Sequence, residues 1–218
     1  MYDRRRDNMI AALNEEFRMH DRRRDNMIAA LNQEFRRIKV EHRDALKKTI
    51  ARVVLGPSVM MVYAKGTRDA LLPFLPKLDV DTITRFKGQD QFSAWFDEHV
   101  ERIAKIIDQH NPRNTRIRPG LKWGHATKIM ALYVRDLVLS SRYFSDTDAA
   151  TISAFLHVPV NSVVIERLRE LGARQPFTKI KEIDTREKFY GVQEALASAA
   201  LAHNIPRVWF DDNWGDRQ

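Results

Sequence analysis

The sequence predicts an all-α fold, a single helical domain from residue 37 to residue 218 preceded by a duplicated helical extension over residues 1–36. Three observations predict it. Apolar side chains recur at three- and four-residue spacing in segment after segment, the period of a helix with one buried face. Gly and Pro number only eight each in 218 residues, and neither occurs before Gly56, so little punctuates the first quarter of the chain. Finally, an 18-residue unit beginning at Met1 is repeated from Met19 with two changes, Tyr2 against His20 and Glu15 against Gln33.

Eighteen residues make five helical turns, so the repeat returns the same face about 27 Å further along one axis. Met9, Ile10, Leu13 and Phe17 form an apolar patch, and Met27, Ile28, Leu31 and Phe35 are its copy. Two copies are too few for a solenoid. The second patch can join the domain core, which leaves the first, in residues 1–18, to pack back on its own domain or on a second copy of the chain as a homo-oligomer contact. The Arg triplets within the repeat are flanked by Asp, the pattern of a solvated, ion-paired helix face.

Next along the chain, residues 37–54 continue the helical pattern through Ile38, Ala45, Leu46, Ile50 and Val53, with a basic exposed face. Gly56-Pro57-Ser58 ends that helix, and Ser58 is placed to cap a following segment over 59–64. Pro73, Pro76 and Gly88 punctuate a connection of short helical turns. A long helix over 91–110 then carries Phe92, Trp95, Phe96, Val100, Ile103, Ala104 and Ile107 on one face, a core stripe rather than a base-stacking platform. A Lys-bearing helix is expected over 122–138, another over 161–171 closed by Gly172, and a last one over 186–203 with Phe189, Tyr190, Val192, Leu196 and Leu201 inward. The tail after Pro206 is aromatic and acidic, and is expected to fold back on the domain.

Composition narrows function by exclusion. Cysteine is absent, which removes disulfides, thiolate nucleophiles and Cys-ligated metal centres. His110, His125 and His157 show no metal-ligand spacing, so neither a metal nor another cofactor is expected. No signal-peptide core follows Met1 and no apolar run is long enough to span a bilayer, so a cytoplasmic protein with no membrane partner is expected. There are 37 Lys plus Arg against 29 Asp plus Glu, a net charge of +8 that favours polyanionic partners such as DNA or RNA.

Most of that excess sits between Asn111 and Tyr143, where seven cations, Arg113, Arg116, Arg118, Lys122, Lys128, Arg135 and Arg142, meet a single acid, Asp136. A basic loop running into a helix N-terminus presents backbone amides and side-chain cations together, an arrangement suited to phosphate. Arg113, Arg116, Arg118, Gly120, Lys122, Trp123 and Gly124 are the candidate nucleic-acid contacts. The plainer reading of the same residues is a solvated basic loop.

Within this stretch, Pro119-Gly120-Leu121-Lys122-Trp123-Gly124-His125-Ala126-Thr127-Lys128 is followed by Ile129 to Tyr133 and, later, by His157-Val158-Pro159-Val160-Asn161-Ser162. Together these segments resemble the hairpin, the following Lys helix and the later turn of the helix-hairpin-helix DNA glycosylase superfamily, best its archaeal 8-oxoguanine glycosylase branch. The resemblance covers residues 111–169. It implies a hairpin that holds backbone phosphate and a Lys, here Lys128 or Lys122, that attacks the sugar C1′ in glycosylase/lyase chemistry. An Asp in the later turn assists in that family, but this chain has Asn161 there, and an amide takes no proton.

Asn161 directly before Ser162 is also a favoured helix N-cap. His157, on an apolar turn, reads as a packed histidine. Each Lys reads equally as a surface cation, since an exposed amine is protonated and non-nucleophilic at neutral pH. The alternative to nucleic-acid binding is a helical interaction or oligomerisation protein whose basic loop is incidental.

Overall fold

The computed structural model describes residues 43–63, 65–110, 123–170, 172, 179–203 and 207–208. The tandem repeat, the basic stretch 111–122 and most of the acidic tail lie outside the described residues. Those described form helices and turns with no strand among them, the all-α fold the periodicity predicts.

The first helix, α1 (Arg43–Val54), buries Leu46, Ile50, Ala51 and Val54. That stripe runs at steps of four, so Val53 points about 100° away from Val54 and is 56% exposed, not inward. Short helices α2 (Pro57–Met60) and α3 (Thr67–Leu71) follow. Ser58 caps neither of them. Gly56 is the N-cap of α2 and Pro57 its first residue, because the fixed φ of proline suits the first helical position and its missing N–H is no loss there. Pro76 then opens a 3-10 turn, Leu75–Lys77, and a second, Val80–Arg85, follows without a proline.

At the centre lies α4 (Gln89–His110), whose Phe92, Phe96, Val100, Ile103 and Ile107 are fully buried. Burying each of these side chains contributes about 1.5–3 kcal/mol relative to leaving it in water. α4 packs on α5 (Trp123–Arg135), and α1 and the turn Ile180–Glu182 also pack on α5. The continuous helix expected to 138 instead passes into a π-helical turn, Asp136–Ser140, whose end is tied by the Ser141 hydroxyl donating to the Leu137 carbonyl at 2.8 Å.

α6 (Asp146–Ser153) was not anticipated from the apolar pattern, since it is short and buries only Ile152. Its signal was a cap instead: Ser145 Oγ accepts from the Asp148 amide at 3.1 Å. α7 (Ser162–Glu170) is followed by Gly172 in the left-handed region at φ 82°, the expected stop. The last helix, α8 (Arg186–His203), buries Phe189, Val192, Leu196 and Ala200. Leu201 is displaced by one residue from that stripe and is 82% exposed, contrary to the inward position its neighbours imply. Past α8, Val208 is buried, so this part of the tail does return to the domain.

Candidate functional site

The site begins where α5 begins. Its first turn is pressed against the Ile180–Glu182 turn: the Gly124 amide donates to the Ile183 carbonyl at 2.8 Å, and a Cβ built on Gly124 would stand 2.5 Å from the Ile180 carbonyl oxygen. Only a residue without a side chain permits that approach. Gly124 is therefore accounted for by packing, and its amide is already spent on a protein carbonyl. Thr127, also buried, donates its hydroxyl to the Gly124 carbonyl at 3.0 Å. Tyr63 meets His125 edge to face, with ring centroids 5.9 Å apart. Trp123 is half-buried, and its indole Nε1 is buried without a hydrogen-bond partner among the described residues.

Lys128 lies one turn further along α5 than Gly124. It is half-buried, and burial alone holds its ammonium below the ordinary lysine pKa. Among the described residues no carboxylate pairs with it, and no hydrogen bond joins it to Asn161. A desolvated amine without a counter-charge is more easily deprotonated, which is the condition an amine nucleophile requires. The competing candidate Lys122, with Arg113, Arg116, Arg118 and Gly120, lies outside the described residues.

Asn161 serves as the N-cap its position predicts. Its side-chain oxygen accepts from the Val164 amide at 2.9 Å, at the start of α7. Four residues earlier, His157 is fully enclosed by aromatic rings, with centroids of Phe96, Phe92, Phe189 and Tyr190 at 4.8, 5.3, 5.3 and 5.3 Å. Burial drives its pKa well below the ordinary 6.5, and the Arg207 guanidinium 3.4 Å from Nδ1 pushes the same way. A neutral, enclosed imidazole is a packing element and a poor proton carrier for an outside ligand.

Sequence reasoning missed the groups that make this turn possible. Residues 156–160 are buried in succession, and their backbone polar groups must find partners inside the protein. Gln193 on α8 supplies two, accepting from the Val158 amide and donating to the Val158 carbonyl, both at 2.9 Å. Arg207 supplies more, donating to the carbonyls of Phe155 and Leu156 and to the side chain of Gln89. Beside them Asp97 accepts from Arg186 and, at 2.9 Å, from the Tyr190 hydroxyl. Nothing local in the sequence marks these residues, because their partners are 35 to 118 positions away.

Among the described residues no three His, Asp or Glu side chains cluster as metal ligands, and no helix is long and apolar enough to cross a membrane. No protein-family model, no curated protein and no solved structure matches this chain.

Proposed function

We propose that this chain binds nucleic acid along the basic approach to α5, and that Lys128 is the amine through which it reacts with an abasic sugar. The observation that supports this reading is the desolvation of Lys128, with no carboxylate among the described residues to hold it protonated. In the reaction the neutral amine adds to the aldehyde carbon C1′ of the abasic site, water departs, and an imine remains. Asn161 takes no proton in this scheme, since an amide is not a base; its oxygen accepts from the Val164 amide instead.

Borohydride reduction of the imine gives a stable secondary amine and therefore a covalent protein–DNA adduct. Wild-type protein incubated with abasic duplex DNA and borohydride is expected to form that adduct, and Lys128→Ala is expected to lose it. An adduct that survives Lys128→Ala moves the nucleophile to another residue, Lys122 being the first to test. No adduct with wild type removes the chemistry and leaves binding alone. The alternative reading, a helical interaction or oligomerisation protein, rests on the duplicated 18-residue repeat and predicts no salt-dependent binding to any nucleic acid.

A further inference from the structure

We propose that the groove between α1 and residues 67–77 is a second phosphate-binding track, one that takes the sugar-phosphate backbone of a bound nucleic acid; this rests on the nucleic-acid reading above. The groove encloses about 830 Å³. Its charged lining is four cations, Lys47, Lys48, Arg52 and Lys77, against two acids, Asp44 and Asp69, leaving +2 around one concavity. That volume is on the scale of a pocket for a whole organic ligand and exceeds what one phosphate fills.

The cations are not consumed by the fold. Lys47 is steadied by donating to the Leu78 carbonyl at 3.2 Å. Lys48, Arg52 and Lys77 are exposed and form no ion pair among the described residues, although Asp44 and Asp69 line the same groove. Lys48 and Arg52 stand four residues apart on the same face of α1, about 6 Å along its axis. Like charges gathered around a concave surface repel one another, and an extended anion relieves that repulsion along the whole row. Leu72, Pro73 and Pro76 complete the lining with uncharged surface for sugar and base faces. These residues lie 36 or more positions before Arg113, so the track draws on a different part of the sequence from the basic stretch that precedes α5.

The test is fluorescence anisotropy of a labelled duplex oligonucleotide with the full chain, measured across salt concentrations. Wild type is compared with Lys48→Gln/Arg52→Gln and with the charge-keeping pair Lys48→Arg/Arg52→Lys. Each lost phosphate contact removes about 0.9 from the slope of log K against log salt, so the Gln pair is expected to flatten the slope by about 1.8 and to weaken binding about 60-fold near 0.1 M salt, extrapolating from 1 M. The charge-keeping pair is expected to bind as wild type does. Circular dichroism melting verifies that both variants fold, as substitutions at exposed helix positions should allow.

Wild-type binding with an unchanged slope for the Gln pair overturns the groove and leaves the nucleic-acid reading intact. No binding by wild type overturns both. Weakened binding of ATP or inorganic phosphate in the Gln pair, with oligonucleotide binding unaltered, assigns the groove to free phosphate compounds and overturns the backbone track.

Discussion

Replacing Gly124 with Ala tests whether the candidate site is held where the contact between α5 and residues 180–183 puts it. Two effects oppose each other. In a helix, Ala is favoured over Gly by up to about 1 kcal/mol, so propensity alone predicts a more stable protein. Against it, the new Cβ would lie 2.5 Å from the Ile180 carbonyl oxygen and 2.9 Å from that of Ile183, both backbone atoms that cannot turn aside. Forcing the two segments apart costs about 1–3 kcal/mol as overpacking. It also stretches the 2.8 Å hydrogen bond from the Gly124 amide, whose net value is about 0.5–1.5 kcal/mol. The clash wins, and the expected net loss is about 0.5–3.5 kcal/mol. Urea unfolding followed by circular dichroism measures it, with Gly191→Ala as the control. Gly191 is exposed on α8 with nothing within 4 Å of its built Cβ, so that change is expected to stabilise by about 0.5–1 kcal/mol. If Gly124→Ala stabilises as much as Gly191→Ala does, the tight docking of α5 is refuted.

Asn161→Ala is expected to cost about 1 kcal/mol in the same unfolding assay through loss of the cap, while Asn161→Asp keeps an acceptor for the Val164 amide and retains stability; equal losses in both would deny the capping role. His157 predicts a pH dependence. Its folded pKa lies below the unfolded value of 6.5, so below that pH the unfolded chain binds the extra proton; the stability due to a neutral His157 is complete above pH 6.5 and is lost as pH falls beneath it. Urea midpoints of wild type and His157→Gln between about pH 5 and 7 should therefore show a shallower acid-side decline in the variant, the lowered His99 being common to both; parallel declines would show that His157 does not titrate across this range. Leu196→Ala should lose about 2–5 kcal/mol, whereas Leu201→Ala, at an 82% exposed site, should change stability by less than about 0.5 kcal/mol. A comparable loss at both positions would put Leu201 in an apolar interface.

The helical class and most helix bounds were legible because they depend on neighbours three and four residues away. The stripe Phe92, Phe96, Val100, Ile103 and Ile107 could be read directly, as could the cap at Asn161 and the stop at Gly172. Local rules failed where two local signals competed. At Gly56-Pro57-Ser58 the hydroxyl of Ser58 offered a cap, but Pro57 is better suited to the first helical position, which moved the cap to Gly56. At the ends of α1 and α8, Val53 and Leu201 are apolar and close to the buried stripe, but one position is enough to turn a side chain through 100° into solvent.

The candidate site depended on information of another kind. Lys128 is one cation among seven between Asn111 and Tyr143, and nothing in that spacing separates it from the rest. Burial on α5 lowers the pKa of this amine, which would be fully protonated on the surface. His157 carried the opposite ambiguity, and the four rings around it decide for packing. The amino-acid order by itself thus determined which residues form helices and which face of each is apolar, because backbone geometry couples only near neighbours. Tertiary structure decided which charged groups lose their water and which segments meet, as in the contact of Gly124 with Ile183 or of Arg207 with Phe155 and Leu156. Desolvation is set by whatever closes over a group, and around His157 the covering rings come from distant parts of the chain.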